Sequence, residues 1–215
     1  MKVSFNNCHF ILNKDGSIYW IKNKILILGD LHLEKGSSYA SDGNFLPPYD
    51  TLDTLTKLTK TLKKYKTIKK IILLGDIFHD TNGYYRLNVN EKMIFDHICK
   101  KYNIIWIYGN HDESFAPKNV DTFNIYLLNG INFKHIPSNN DMIEISGHYH
   151  PKASFKYLGR KITKSCFVIG NNKIILPAYG SYAGGLNINS EIYKKYFKNN
   201  FNVYALGSNQ IIKII

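Results

Sequence analysis

The sequence predicts an α/β fold in which two β-sheets pack as a sandwich flanked by helices. In the first half, apolar runs typical of strands buried on both faces alternate with segments of helical periodicity. In the second half, short apolar runs separated by tight turns predict an antiparallel sheet. Polar side chains that can bind metals follow several of these runs, which indicates a site at the strand ends.

The chain is expected to begin with a hairpin, because two apolar runs, 8–12 and 17–21, flank the turn Asn13-Lys14-Asp15-Gly16. Continuous apolar runs then predict three buried strands, at 24–28, 70–74 and 104–108. Helices between these strands imply right-handed crossovers, and therefore a parallel sheet.

Two helices are predicted between these strands. Over residues 50–66, leucines from Leu52 onwards recur at steps of three and four, and Asp50 or Thr51 can cap the first turn. A second helix is predicted over residues 89–101. Segment 33–48 is rich in Gly and Pro and is expected to be an irregular loop beside the site.

The second half contains mostly short strands, with one helix near 190–197. The predicted strands are 131–134, 142–146, 167–169, 173–176, 202–206 and 211–215. Together with the N-terminal hairpin, this sheet is expected to pack on the first one.

The composition excludes several classes of protein. The hydrophobic fraction of 44% is globular, and no apolar run reaches the roughly 18 residues that span a bilayer. The first residues lack the apolar segment of a signal peptide, so a cytoplasmic protein is expected.

The net charge of +12 suits a polyanionic partner such as nucleic acid. Compositional drift towards Lys, Asn and Ile explains that charge equally well.

The candidate site consists of carboxylates, one amide and histidines beyond the carboxyl ends of predicted strands, where open parallel sheets bind ligands. These residues are Asp30, His32, Asp76, Asn110, His111, His135, His148 and His150. Oxygen and imidazole donors without thiolates suit Mn, Fe, Zn or Ni. The set exceeds what one ion needs, so two ions about 3.5–4 Å apart that share a carboxylate fit better.

Each motif alone has a simpler interpretation, because Gly and Asp are ordinary turn residues. The runs Gly109-Asn110-His111-Asp112 and Gly147-His148-Tyr149-His150 are more informative, since adjacent polar groups directly follow apolar strands. The joint occurrence of all the clusters in this order predicts the site.

This set of motifs resembles the calcineurin-like metallophosphoesterase superfamily. Longer stretches resemble the ligase-associated DNA damage response endonuclease PdeM family. These stretches are 30–36, 46–51, 75–79, 147–151 and 176–186. The resemblance implies a single domain over residues 1–215, with a metallophosphoesterase-type β-sandwich of two mixed sheets flanked by helices (α/β/β/α).

The resemblance also implies a role for each cluster. One metal would be held by Asp30, His32 and His150, and the other by Asn110, His135 and His148, with Asp76 bridging them. His111 would face the phosphate as a catalytic residue that stabilises charge or protonates the leaving oxygen. Asp112 would be its orienting partner.

Residues flanking the site have two interpretations each. His79 and Asp80 either support the metal ligands, which we favour, or cap the loop. Arg86, Tyr84 and Tyr85 either contact phosphate and stack a base, or only pack the loop.

The chain is therefore expected to be a two-metal phosphodiesterase, with DNA as its substrate and DNA damage response as its context. A water shared by two divalent ions (Mn²⁺ first, with Fe, Zn or Ni as alternatives) is deprotonated near neutral pH and supplies the nucleophile. Two alternatives remain, a phosphoesterase for nucleotides or cyclic nucleotides and a non-catalytic scaffold. The expected partner is single-stranded or damaged DNA and not a membrane. Association with a ligase, helicase or exonuclease is implied by the family alone.

Overall fold

The computed structural model describes residues 1–214 except 42, 45, 48, 114, 119 and 158. Two β-sheets pack face to face, and helices cover both outer surfaces. Within the described residues, the first sheet has seven strands in the order of the chain. They are β1 (Lys2–Phe5), β2 (Cys8–Leu12), β3 (Ile18–Trp20), β4 (Ile25–Leu28), β5 (Lys70–Leu74), β6 (Asn103–Ile107) and β7 (Asp121–Phe123).

The N-terminal hairpin belongs to this first sheet, which corrects the expectation that it would join the second. β2 and β3 form the predicted hairpin, and β3 pairs antiparallel with β4 through Trp20 and Ile25. A tight connection of this kind joins neighbouring antiparallel strands, so the chain stays in one sheet. β1 is an additional edge strand that apolar patterning did not predict.

The parallel part of the first sheet is as predicted. β4, β5, β6 and β7 pair in parallel, with Leu28 opposite Leu73 and Leu74 opposite Ile107. The helices are α1 (Lys35–Ser41), α2 (Asp50–Lys64), α3 (Gly83–Arg86), α4 (Val89–Lys101) and α5 (Glu191–Phe197). α2 connects β4 to β5 and α4 connects β5 to β6, so the carboxyl ends of these strands share one edge of the sheet.

Helices α2 and α4 cover the outer face of the first sheet. The buried stripe of α2 follows Thr51, Leu55, Leu58 and Leu62 at steps of four, three and four residues. Leu52 was expected in this stripe but is 42% exposed, because it lies to one side of that face. Burial of each large apolar side chain contributes about 1.5–3 kcal/mol.

The start of α2 also differs from expectation. Neither Asp50 nor Thr51 caps the helix; their side chains accept the backbone N–H groups of Gly36 and Glu34 at 3.1 and 2.8 Å. These bonds attach α2 to α1, a helix within the segment 33–48 that was expected to be irregular. Residues 42, 45 and 48 of that predicted loop lie outside the described residues.

The second sheet is mixed, as the family resemblance implied, whereas the pattern of short strands and tight turns favoured an antiparallel one. Its strands are β8 (Ile125–Leu128), β9 (Ile131–Lys134), β10 (Glu144–Ser146), β11 (Lys152–Tyr157), β12 (Arg160–Gly170), β13 (Lys173–Ile175), β14 (Phe201–Leu206) and β15 (Ile211–Lys213). Their order is β15-β14-β12-β13-β10-β9-β8, with β11 paired to β12. β9, β10 and β13 are parallel. A loop connects β9 to β10, and strands β11 and β12 lie between β10 and β13 in the chain, so no tight turn joins these strands. As a result, β9 and β10 end at the same edge.

Three apolar layers account for the α/β/β/α arrangement. Ile72 and Ile105 of the first sheet share the central core with Phe133 and Ile174 of the second. On the far side, Tyr193 and other residues of α5 pack against the second sheet. Among the described helices, none has both the length and the apolar character needed to cross a bilayer.

Candidate active site

The carboxyl ends of the parallel strands bring three predicted metal ligands together. Asp30, Asp76 and Asn110 each follow a glycine just beyond β4, β5 and β6. Backbone hydrogen bonds connect the first two loops. The amide of Asp30 donates to the carbonyl of Gly75 at 3.3 Å, and the amide of His32 donates to the carbonyl of Asp76 at 2.9 Å.

The second sheet supplies histidines at the same edge of the sandwich. His135 follows β9, and His148 and His150 follow β10. The amide of Gly147 donates to the carbonyl of His135 at 3.0 Å, which holds these two loops together. The amide of His148 donates to both carboxylate oxygens of Asp30, at 3.0 and 3.1 Å, and so joins the two sheets.

Five of these residues have backbone in the left-handed region. Their φ angles are +52° for Asp30, +44° for His32, +50° for Asp76, +72° for His148 and +44° for His150. Such conformations cost non-glycine residues about 1–3 kcal/mol each and cluster at functional sites. The sharp turns direct the side chains out of the strand direction and towards one another.

The first group of donors consists of Asp30, His32 and His150, all buried or nearly so. The Nε2 atoms of the two histidines are 3.3 Å apart, and His150 Nε2 is 3.2 Å from Asp30 Oδ1. One ligand atom of each residue lies within 4.8 Å of the others, so the group can hold a metal ion. These are the three residues predicted for one ion.

The second group consists of Asp76, His135 and His148. One ligand atom of each of these residues also lies within 4.8 Å of the others. His135 Nε2 lies 3.2 Å from Asp76 Oδ2, 3.1 Å from His148 Nδ1 and 2.9 Å from Asn110 Oδ1. All four predicted ligands therefore come together here. His135 is fixed from behind, because its Nδ1 is 2.8 Å from the carbonyl of Leu74.

Asp76 lies between the two groups. Its Oδ2 is 3.2 Å from His135 Nε2 and 3.9 Å from His32 Nε2. The same oxygen is 4.0 Å from His111 Nε2, and His32, Asp76 and His111 form a third group that could hold an ion. The His111 side chain is 39% exposed, compared with 5% for His32 and 4% for His135.

Two buried carboxylates make the site strongly negative. Burial raises the pKa of Asp30, yet His150, His135 and His32 lower it by more, so its pKa falls below the ordinary value. The pKa of Asp76 is also lowered, since the hydrogen bond and charge of His135 outweigh burial. The same contacts raise the pKa of His135 to about 9 against the effect of burial. The carboxylates therefore require positive charge close by.

Burial favours the neutral form of two other imidazoles, those of His32 and His148. Burial lowers the pKa of His32 to about 3 despite Asp30, and burial and His135 lower the pKa of His148. Among the described residues, no lysine or arginine forms an ion pair with Asp30 or Asp76. Neutral imidazoles and buried carboxylates without a lysine or arginine partner suit divalent metals, and His135 would release its proton on binding an ion, so these residues fit the predicted ions.

Glycine is required at two positions because the ligands pack directly on the backbone. A Cβ on Gly109 would overlap Asp76 Oδ1 and the Asp76 amide. A Cβ on Gly147 would overlap Asp30 Oδ2. Gly109 and Gly147 are thus steric requirements of the site, whereas a Cβ on Gly29 would meet no atom closer than 3.7 Å.

His111 lies at the accessible side of this cluster. Its ring stacks on that of His79, with centroids 5.0 Å apart and 21° between the planes. Its amide donates to Asp76 Oδ1 at 3.0 Å. His79 Nδ1 is also 3.5 Å from His32 Nδ1, so His79 lies next to a predicted ligand.

Asp112 does not orient the His111 ring, contrary to expectation. Asp112 is fully buried, and its carboxylate accepts the backbone N–H groups of Ile77 at 2.7 Å and Gly109 at 2.9 Å. Burial raises its pKa to about 6, although both amide donors favour the carboxylate. Among the described residues, no ion pair or hydrogen bond connects it to the His111 side chain. Asp112 instead joins the Asp76 and Asn110 loops.

Arg86 is occupied by contacts within the protein, which argues against the predicted phosphate contact. Its guanidinium donates to both oxygens of Asp80, at 2.9 and 2.6 Å, and to Ser37 Oγ at 2.9 Å. It also donates to the carbonyl of Glu34 at 3.4 Å. Asp80 and Arg86 therefore fix α1 beside the site.

The two predicted tyrosines differ from each other. Tyr84 donates its hydroxyl to Asp96 at 3.1 Å and stacks on Phe115, so it packs the loop rather than the site. Tyr85 is 72% exposed and has an accessible ring.

Sequence reasoning missed Tyr39 in α1. Its half-buried ring lies 5.4 Å from the His79 ring and extends the stack that begins at His111. Periodicity offered no signal, because the surrounding segment was expected to be irregular.

On the other side of the site, a cleft of about 670 Å³ opens beside Asn110 and His135.

Comparison with known proteins identifies the class to which this fold and site belong. The family model described as calcineurin-like phosphoesterase matches residues 23–165. That is well over half of the chain, so the chain belongs to the calcineurin-like phosphoesterase family, whose members hydrolyse phosphoesters. The resemblance seen in the sequence is confirmed at this level.

A particular solved structure shares the fold. The crystal structure of Pseudomonas putida nuclease MPE aligns with a TM-score of 0.79 over 100% of this chain and 99% of that chain, at 23% sequence identity. No curated protein sequence matches the chain.

Proposed function

We propose that this chain is a two-metal phosphodiesterase that cleaves DNA. The observation that carries the proposal is the position of Asp76 Oδ2, 3.2 Å from His135 in one donor group and 3.9 Å from His32 in the other. A carboxylate between two sets of donors suits a pair of ions that share it. Paired ions are in turn suited to in-line displacement at phosphorus, which is the chemistry of the family.

The proposed ligands divide between two ions. Asp30, His32 and His150 would hold one, Asn110, His135 and His148 would hold the other, and Asp76 would be shared. When bound, such ions stabilise charge on the phosphate oxygens and lower the pKa of coordinated water towards neutrality. The left-handed turns and the glycines behind Asp30 and Asp76 hold these side chains ready for that geometry.

His111 is the proposed catalytic acid. Its side chain is 39% exposed, and a phosphate bound beside Asp76 would lie within reach of its Nε2. A proton donated from that nitrogen to the leaving ester oxygen typically accelerates such a step 10²–10⁴-fold. His79 supports the ring from behind by stacking. Asp112 contributes by accepting the backbone N–H groups of Ile77 and Gly109.

DNA is the proposed substrate on three grounds. The chain has a net charge of +12, its motifs resemble a DNA damage response endonuclease family, and the structural relative described above is a nuclease. Preference for single-stranded or damaged DNA, manganese as the metal, and association with a ligase, helicase or exonuclease are proposed from the resemblance alone.

Metal analysis and a substrate panel test the proposal. The purified protein would be assayed with Mn²⁺ on single-stranded DNA, a cyclic nucleotide and p-nitrophenyl phosphate esters. We expect DNA cleavage that Asp76→Asn abolishes together with bound metal. The matched control is Asp141→Asn, which removes an aspartate with an 83% exposed side chain. Failure to cleave any DNA, with fast turnover of a nucleotide, would contradict the proposal.

One observation favours turnover of a nucleotide rather than cleavage of DNA. The cleft of about 670 Å³ beside Asn110 and His135 is within the range that binds a small molecule such as a nucleotide. A small-molecule phosphoesterase is therefore the second candidate. A non-catalytic scaffold would instead show unchanged function in Asp76→Asn.

A further inference from the structure

A basic β-ribbon begins two residues after the proposed ligand His150. The basic ribbon comprises β11 and the first part of β12, residues 152–165, in register from Lys152 opposite Ser165 to Tyr157 opposite Arg160. Among the described strands, β11 pairs with β12 alone, so it extends the second sheet only along β12. Residue 158, at the turn, lies outside the described residues.

The charge of the basic ribbon has one sign. It carries five cationic side chains, Lys152, Lys156, Arg160, Lys161 and Lys164, and no carboxylate. The sequence contains no acidic residue between Glu144 and Glu191. In the described part of the chain, none of the five forms an ion pair.

The arrangement of these side chains is unfavourable in the free protein. Lys156 and Lys161 are direct cross-strand partners and both are exposed. Like charges directly opposite each other destabilise a ribbon. A bound polyanion would remove this repulsion, so the pair is more easily explained as a binding feature than as a solvated surface.

One face of the ribbon also presents hydroxyl groups. Residues directly opposite each other project on the same side, so Ser154 and Thr163 share a face with Lys156 and Lys161. The two hydroxyl oxygens are 2.8 Å apart and exposed. On the other face, Phe155 packs towards the core beneath α5. Lysines and hydroxyls together are the side chains that contact phosphate backbones.

We propose that the basic ribbon binds the sugar–phosphate backbone of the nucleic-acid strand beside the phosphate that is cleaved. This inference rests on the proposed function. Six residues of β11, at about 3.3 Å each, span about 20 Å, enough to follow several nucleotides at about 3.4 Å per nucleotide. Because the contacts are electrostatic, they add affinity without sequence preference.

Neutralising the exposed cations tests the inference. The ribbon variant is Lys156→Gln/Lys161→Gln, which removes the two exposed cations on the face with Ser154 and Thr163. The matched control is Lys60→Gln/Lys63→Gln, which removes two exposed charges near the end of α2, at the sheet edge opposite the site. Both variants would be assayed on a long single-stranded oligonucleotide and on bis(p-nitrophenyl) phosphate, which is too short to reach the ribbon.

For the ribbon variant, we expect kcat/KM on the oligonucleotide to fall about tenfold or more. The slope of log affinity against log salt should become shallower by about 1.4, since each of the two contacts with a single strand contributes about 0.7. Turnover of the small diester should match the wild type. The thermal unfolding midpoint should be equal or higher, because the Lys156–Lys161 repulsion is gone. The control variant should resemble the wild type throughout.

Two results would overturn the inference: a ribbon variant with wild-type DNA kinetics and salt slope, or a control variant that loses as much. Binding of a fluorescent oligonucleotide, measured separately, distinguishes this inference from the proposed function. If the wild type binds but does not cleave DNA, and the ribbon variant loses binding, the ribbon inference stands and the nuclease function fails.

Discussion

The His79 ring contacts both the proposed acid and a proposed metal ligand: it stacks on His111 at 5.0 Å, and its Nδ1 lies 3.5 Å from Nδ1 of His32. Stacking restricts the rotation of the exposed His111 side chain. The contact between the two Nδ1 atoms positions His32, whose Nε2 belongs to the first donor group. His79 thus couples orientation of the acid to orientation of the metal site.

Substitution of His79 should separate these two effects. We expect His79→Ala to lower kcat or metal affinity about 10–100-fold, as loss of a residue behind a metal ligand typically does. His79→Phe keeps a ring against His111 but lacks the nitrogen facing His32, so it should restore kcat more than metal affinity. Steady-state kinetics at several Mn²⁺ concentrations would measure both quantities. Equal behaviour of Ala and Phe in kcat would show that stacking has no part in catalysis.

Asp112→Ala should mainly reduce stability. It leaves two buried amides, those of Ile77 and Gly109, without their acceptor, at about 1–3 kcal/mol each. The free energy of unfolding, measured in urea, should therefore fall by about 2–6 kcal/mol. If Asp112 acted by orienting the His111 ring, stability would be unchanged and only kcat would fall.

Gly109→Ala should remove metal binding, because the added methyl group would overlap the Asp76 carboxylate and amide. Gly184→Ala is a suitable control, since a Cβ there meets no atom within 4 Å among the described residues. Metal content and activity should be lost in the first variant and kept in the second. Full metal occupancy in Gly109→Ala would contradict the close packing behind Asp76.

Lys57 should make stability depend on alkaline pH. Burial lowers its pKa to about 8 from an ordinary value of 10.5, and its ammonium group lies against the carbonyl and ring of Tyr179. Between these two pH values the unfolded chain binds more protons than the folded one, so stability should rise from pH 8 to pH 10.

The Lys57→Met variant has no such group and should lack this rise, whereas Lys60→Met, with an exposed lysine replaced, should retain it. Urea unfolding at several pH values measures the difference between variants. Parallel pH curves for the wild type and Lys57→Met would show that Lys57 titrates normally.

Much of the first sheet was predictable because its strands and helices are determined by residues close together in the sequence. Strand β5 and helix α4 were predicted at their observed bounds, since apolar runs and helical periodicity depend on neighbours in sequence. The candidate ligands were also found, because polar groups after apolar strands are conspicuous. Their assembly depends on parallel pairing of β9 and β10, which was not predicted. That pairing is a tertiary feature without a periodic signal.

Contacts between distant residues account for the remaining differences. Asp112 stands next to His111 in sequence, yet its carboxylate accepts the amide of Ile77, 35 positions away. Arg86 was a plausible phosphate ligand until the structure placed Asp80 and Ser37 around it. The left-handed backbone of Asp30 and Asp76 likewise follows from neighbouring loops and not from residue type alone.

The most direct test of the central claim, that two ions share Asp76, is the metal content of purified variants after loading with Mn²⁺. We predict two equivalents in the wild type, about one in His150→Ala, and loss of metal with loss of phosphodiesterase activity in Asp76→Asn. Asp76→Asn that retains two equivalents and wild-type activity would contradict the claim.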